Sequence, residues 1–248
     1  MDQWTRPQRT GTPKPTPGNL QGMSAPYDDR TAKWLVGDRL SSVLHLGNHP
    51  LVNQLADQGH DVVVATDRLA RTEHHEVSYV LTAGDRLPFA GSVFDVVIAP
   101  DVRRSPSELA DIARVLKADG LLSTISQTYD DSIPWLRKLR ELVGDPMPRV
   151  TTVDTFAASG LFGLPEVSDF GSWEKLDMDA LMAFAESTMA GAETGDTMER
   201  VRELFLSYGA QTQSLRLRHQ THCLRARVIK ENLPIEADPP DTMLLDFN

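Results

Sequence analysis

The sequence predicts an α/β fold in which a mainly parallel sheet is covered by helices. Three observations carry this. Apolar runs such as Val62–Val64 and Val96–Ile98 are continuous rather than alternating, as in strands buried on both faces. Helical patterns separate these runs, which is the order of a parallel sheet with crossover helices. A chain of 248 residues, 40% apolar and 24% charged, is long enough to bury such a core as one domain.

The elements follow in order. Residues 1–24 carry Pro7, Pro13, Pro15 and Pro17 among Thr, Gln and Gly, with too little apolar surface to offset the entropy of ordering. They are expected to form a disordered tail, and their prolines exclude the amphipathic helix of an organelle transit peptide. The domain is expected over residues 25–230. A helix over 27–40 leads into the strand SVLHLG at 42–47, and a second helix runs from Pro50 to Gly59. DVVVATD at 61–67, VSYVLTA at 77–83 and FDVVIA at 94–99 supply three more strands. Ser105 then caps a helix, Pro106 suits its first position and Glu108 completes a capping box. Leu109, Ile112, Ala113 and Leu116 recur at helical spacing and form one core-facing stripe. Gly120 is expected to end that helix, with LLSTIS at 121–126 as the fifth strand.

In the second half, DSIPWLRKLRELVG reads as a helix from Asp131, VDTFAASGLFG as a short helix near 153–160, and VSDFGSWEKL as a strand. Asp177 and Asp196 are each expected to cap a helix, and Gly209 to end the second. SLRLRHQTHCLRARV has the length of a long strand, expected to bend or bulge around His219–Thr221. Residues 231–248 are expected to form an acidic tail whose last turn, with Met243, Leu244, Leu245 and Phe247, docks on the domain; the alternative is a peptide offered to a partner.

Composition excludes several classes of function. With 25 Lys+Arg against 35 Asp+Glu, the net charge of −10 disfavours a general nucleic-acid binder. Cys223 is the single cysteine, so this chain holds no internal disulfide framework and no metal site with more than one thiolate. No stretch reaches the ~18–20 apolar residues of a membrane span, and the first thirty residues lack the apolar core of a secretory signal. A cytoplasmic protein with no membrane partner is expected. On a regular strand His219 and His222 face opposite sides, so with Cys223 they are not expected to hold a metal. Arg216, Arg218, Arg225 and Arg227 read as solvated faces of that strand. His74 and His75 lie in a polar loop and are expected to be solvated, and His45 is expected to bond neighbouring backbone.

In sheets of this kind ligands bind beyond the carboxyl ends of the strands. The positions after Leu46, Ala65, Ala83 and Ala99 therefore carry the chemistry. Asp67 has the place and the chemistry to accept two hydrogen bonds from a ribose diol; the alternative is a helix N-cap. Asp85 can accept from an adenine amino group, or serve as a turn residue.

GDRLPFAGSVFDVVIAPDV, followed by ELADIARVLKADGLLSTIS, resembles the middle of a class I S-adenosylmethionine-dependent methyltransferase. The acid-x-x-L-P-F loop, S-x-F-D-V-V strand and A-R-V-L-K-x-x-G turn are similar to the type-11 methyltransferase-domain family. The resemblance covers residues 25–230. It implies a Rossmann-like, seven-stranded sheet, mainly parallel with an antiparallel last strand, helices on both faces and a helical lid at 177–208. It implies methyl transfer from S-adenosylmethionine to an unidentified small-molecule acceptor. Gly47, Asn48, Asp67, Asp85, Arg86 and Ala99 are then the cofactor-binding positions. Tyr27 resembles the aromatic residue that closes over the cofactor, and Tyr129 and Trp135 are candidates for the acceptor pocket. No catalytic acid or base stands out.

The glycine-rich loop departs from the family. Where relatives read V-L-D-L-G-x-G-x-G, this chain reads VLHLGNHPL. His45 replaces the acid, and His49 and Leu51 replace the second and third glycines. Side chains there are expected to obstruct the amino-acid portion of the cofactor. The second reading is accordingly a non-catalytic binding or regulatory protein on a methyltransferase fold.

Overall fold

Strand pairing builds a seven-stranded sheet in this computed structural model, which describes residues 27–67, 74–82, 86–100, 105–144, 159–189 and 194–233. The elements are α1 (Asp29–Val36), β1 (Ser42–Leu46), α2 (Leu51–Asp57), β2 (Asp61–Thr66), β3 (Val77–Leu81), β4 (Phe94–Ile98) and α3 (Pro106–Val115). They continue as β5 (Leu116–Tyr129), α4 (Pro134–Val143), β6 (Glu166–Leu176), α5 (Met178–Thr188), α6 (Thr194–Gly209) and β7 (Leu215–Arg227). The strand order is β3-β2-β1-β4-β5-β7-β6. β1 to β5 pair in parallel, and β7 runs antiparallel to both β5 and β6. The α/β class, the mainly parallel sheet and the antiparallel last strand are therefore as the sequence implies.

The continuous apolar runs have the expected cause. Leu44, Val63 and Val97 pack with Phe89, Phe94 and Ile112 on the α3 face. Val43, Val62, Val64, Val96 and Ile98 pack with Leu35, Leu51 and Leu55 on the α1 and α2 face. Alternate residues of each strand thus meet helices on opposite sides, which keeps these runs apolar save for His45 of β1. A third cluster gathers at the far ends of β5, β6 and β7, where Tyr129, Leu176 and Leu217 meet Leu136 of α4, Phe184 of α5 and Phe205 of α6.

α3 begins as predicted. The Ser105 hydroxyl accepts from the Glu108 N–H at 3.2 Å, and the Glu108 carboxylate accepts from the Ser105 N–H at 2.7 Å. Ser105→Ala should cost about 0.5–2 kcal/mol by removing that acceptor, read as a lower urea midpoint with an unchanged slope.

Four expectations are corrected. Gly120 does not end α3: the helix stops at Val115 because Leu116 pairs with Phe94 and opens β5. Gly120 instead lies within β5 where its register against β4 shifts, from Leu116 opposite Phe94 to Leu121 opposite Val96; there Asp119 has φ +63° and a Cβ on Gly120 would lie 2.9 Å from the Lys117 carbonyl oxygen. Asp196 is not a cap; α6 starts at Thr194 and Asp196 lies in its first turn. β7 neither bends out of register nor bulges at His219–Thr221, because β5 and β6 pair with it residue for residue on both sides. The first helix is shorter than predicted, ending at Gly37, whose φ of +96° turns the chain. The short helix near 153–160 and both tails lie largely or wholly outside the described residues. Among the described residues no helix is long and apolar enough to cross a membrane.

Candidate functional site

The strand order reverses at β1, which has β2 on one side and β4 on the other. The crevice beyond their carboxyl ends is where such sheets bind ligands. Gly47 leaves β1 with φ +84°, and its N–H donates to the Ala65 carbonyl at 2.7 Å. A Cβ on Gly47 would meet nothing within 4 Å, so the glycine is required by its conformation and the space beside it is open. Asn48 Nδ2 donates to the Thr66 hydroxyl at 3.3 Å and ties the loop to the end of β2. Asp67 follows directly and is exposed. Gly47, Asn48 and Asp67 are thus brought to adjoining strand ends.

The other candidates are placed differently. Arg86 is exposed. Asp85 lies outside the described residues. Ala99 is fully buried in the α3-side core and its N–H donates to the Ser123 carbonyl, so its backbone continues the β4–β5 ladder.

The substituted loop residues separate sharply. His45 is 0% exposed, and its Nδ1 lies 2.8 Å from the Gly47 carbonyl oxygen, the backbone bond expected of a strand-end histidine. A carbonyl only accepts, so Nδ1 carries the proton and Nε2 is the acceptor. That Nε2 is buried with no partner among the described residues. Burial pushes the imidazole down to about 4, against the Gly47 bond that favours the charged form.

His49 is half-buried, its ring stacked between Tyr27 at 5.2 Å and His45 at 5.4 Å. The Leu51 N–H donates to its Nδ1 at 3.3 Å. Its Nε2 therefore carries the proton and donates to the Tyr27 hydroxyl oxygen at 3.1 Å. Burial first, and then the neighbouring His45, push His49 down to about 3. Leu51 lies elsewhere: its side chain is 0% exposed in the α1 and α2 core. Of the two, only His49 keeps its side chain in the loop, because α2 turns the Leu51 side chain inward.

Tyr27 joins this stack and does not meet the other acceptor candidates. Tyr129 and Trp135 share the third core cluster at the far end of β5. Tyr129 packs edge-on against Phe184 and His219, each at 5.3 Å.

The remaining histidines follow the strand parity. His219 is buried beside Glu174, while His222 faces the other side and bonds Asp169 at 2.7 Å and the Thr128 hydroxyl at 3.1 Å. Burial pushes the Cys223 thiol up to about 12. Among the described residues no cluster of three or more metal-ligating side chains exists. His75 is solvated, but His74 is not: it stacks on His75 and packs down to a side chain 15% exposed, 3.3 Å from Asp57. The His219–Glu174 pair was not legible, since its partners are far apart in sequence and meet only through strand pairing.

No protein-family model matches the chain. It is 26% identical over 217 residues to uncharacterized methyltransferases of Mycobacterium tuberculosis and Mycobacterium bovis, covering 81% of this chain and 88% of each relative. Among solved structures it is similar to a type II methyltransferase from Anaeromyxobacter dehalogenans, with TM-score 0.62, 15% identity, and 83% of this chain and 98% of the other covered. A methyltransferase from an antibiotic biosynthesis pathway of Anabaena variabilis gives TM-score 0.52 at 15% identity, covering 79% and 97%. In sequence the chain resembles these mycobacterial methyltransferases, and its fold is the Rossmann-like, seven-stranded one of the solved methyltransferases it is similar to.

Proposed function

We propose that the chain binds S-adenosylmethionine in the crevice beyond β1 and β2 and directs its methyl group to a small-molecule acceptor. The observation that carries this reading is the juxtaposition of Gly47, Asn48 and Asp67 at the strand-order reversal, with open space beside Gly47. The residues present fit such a ligand. The bare His45 Nε2 is an acceptor suited to a donor such as an ammonium group, and the exposed Asp67 suits a ribose diol. When bound, the cofactor supplies an already activated methyl group on a sulfonium.

The protein's part is alignment. Asp67 holds the sugar, Gly47 and Asn48 shape the loop beneath it, and Arg86, with Asp85 next to it in sequence, serves the adenine. Tyr129 and Trp135 line the acceptor side, with α5 and α6 as its lid. Tyr27 and His49 part to admit the amino-acid portion of the ligand.

Asp67→Ala should weaken S-adenosylhomocysteine binding by about 1.5–3 kcal/mol, the worth of hydrogen bonds to a charged group. Isothermal titration calorimetry reads this, and an unchanged Kd in a folded variant removes Asp67 from the site. The ring stack of Tyr27, His49 and His45 favours the second reading, a non-catalytic protein whose loop is filled by its own side chains. Wild-type protein that binds neither S-adenosylmethionine nor S-adenosylhomocysteine at millimolar concentration decides for that reading.

A further inference from the structure

Three strands run past the ends of their neighbours. Ile98, the last residue of β4, pairs with Ser123, whereas β5 continues to Tyr129 with β7 paired alongside as far as His219. This overhang of β5, β7 and β6 stands beyond the carboxyl ends of the parallel strands, on the side that binds ligands.

His219 lies on it, 0% exposed. Its Nε2 is 2.7 Å from Glu174 Oε2 on β6. The carboxylate accepts, so Nε2 carries the proton and Nδ1 is left as an acceptor. Nδ1 is buried with no hydrogen-bond partner among the described residues. Leu217 and Thr221 share its face of β7, and its cross-strand partners are Ser172 of β6 and Tyr129 of β5, whose ring lies 5.3 Å away. Among the described residues, Glu174 and Tyr129 are the ionisable groups placed against the ring. α4, α5 and α6 bring apolar side chains to the cluster around Tyr129, among them Trp135 and Phe184.

Such a pair is a poor structural device. Burying an imidazole and a carboxylate costs more than packing apolar side chains of similar volume, and an unpartnered ring nitrogen adds to that cost. As chemistry the arrangement is coherent. A carboxylate bonded to one ring nitrogen sets the tautomer, aims the other and stabilises the imidazolium once a proton arrives.

We propose that His219 is the proton acceptor for methyl transfer, that Glu174 is its positioning residue, and that the methyl acceptor is a phenol-like aromatic hydroxyl compound. This rests on the methyltransferase reading above. The hydroxyl oxygen forms the new C–O bond with a lone pair, and the C–S bonding pair stays on sulfur, turning the sulfonium into a thioether. The hydroxyl proton moves to His219 Nδ1, giving an imidazolium held by the Glu174 carboxylate. Tyr129, Phe184 and Trp135 supply aromatic walls for a ring. Glu174, with 19% of its side chain exposed, gives the pair an edge at the surface through which the proton is later lost.

The probe is 4-nitrophenol, whose phenolate absorbs apart from the phenol, added at a pH well below its own ionisation. On binding to wild-type protein the phenolate band should rise. His219→Asn should abolish the rise and weaken binding about ten- to hundredfold. Glu174→Gln should keep S-adenosylhomocysteine affinity but lose most of the phenolate band, and Glu174→Asp should restore part of it. If the buried His219→Asn protein does not fold, the Glu174 variants decide. The proposal is overturned if wild type fails to bind 4-nitrophenol at millimolar concentration. It is equally overturned if the bound probe stays protonated, or if the band is as large in Glu174→Gln as in wild type. Calorimetry with S-adenosylhomocysteine on the same samples reports the cofactor separately, so a phenolate band without nucleoside binding removes the methyl-transfer reading and leaves the base in place.

Discussion

Truncating Leu51 to alanine is expected to lower the unfolding free energy by about 2–5 kcal/mol, while His49→Gly is expected to tighten S-adenosylhomocysteine binding. Both residues stand where the family that the sequence resembles has glycine, yet their side chains do different things. Leu51 is 0% exposed in the first turn of α2 and packs in the core with Leu35, Leu55 and Val64. Its loss leaves a cavity in a wall that cannot close around it, a large share of a typical stability of roughly 5–15 kcal/mol. His49 sits instead in the loop, stacked between Tyr27 and His45. Those two ring contacts are each worth about 0.5–1.5 kcal/mol and have to part before a ligand enters. Removing the ring should therefore strengthen binding roughly 5- to 100-fold. Urea unfolding reads the first effect and calorimetry the second. An unchanged Kd in His49→Gly would show that the ring lies clear of the bound ligand, and a Leu51→Ala loss under about 1 kcal/mol would contradict its burial.

Acidification from pH 7 to pH 4 is expected to remove about 3 kcal/mol of stability through His45 alone. Burial holds its folded-state value at about 4, against 6.5 in the unfolded chain. Between these values the unfolded chain binds a proton that the folded protein refuses. Stability is therefore whole above pH 6.5 and falls by about 1.4 kcal/mol per unit as the pH drops. The loss is complete once the pH passes the folded value. His49, pushed down to about 3, acts in the same direction, but its half-buried ring is screened by solvent and its share is smaller. Asp28, Asp38 and Asp130, held below their ordinary range by Arg30, Lys33 and the Ser132 and Arg218 contacts, come into play only at lower pH. Urea midpoints at pH 7 and pH 5 should fall in wild type and fall less in His45→Asn. Equal changes in the two proteins would show that His45 is not the group responsible.

The parts of the fold that were legible rest on short-range chemistry. The Ser105 and Glu108 capping box closes within one helical turn and needs nothing from the rest of the chain. The apolar runs of β1, β2 and β4 announce burial on two faces wherever their neighbours lie. The misread boundaries are those decided at a distance. Gly120 looked like a helix stop, but Leu116 had already been taken by its pairing with Phe94. The bulge expected in β7 is absent because two neighbouring strands hold its register.

The candidate site divides in the same way. Gly47 and Asp67 could be placed by counting to the end of a strand, and parity alone put His219 and His222 on opposite faces. What the sequence by itself determined was the alternation of buried strands and helices, the caps, and which residues reach the carboxyl ends, because periodicity and hydrogen bonding over a few residues decide these. Only the tertiary structure decided that Leu51 turns into the core while His49 joins Tyr27, and that His219 finds Glu174. Those outcomes depend on which faces are covered and which strands become neighbours, and the cost of burying an unpaired polar group selects the partner only when the whole sheet has assembled.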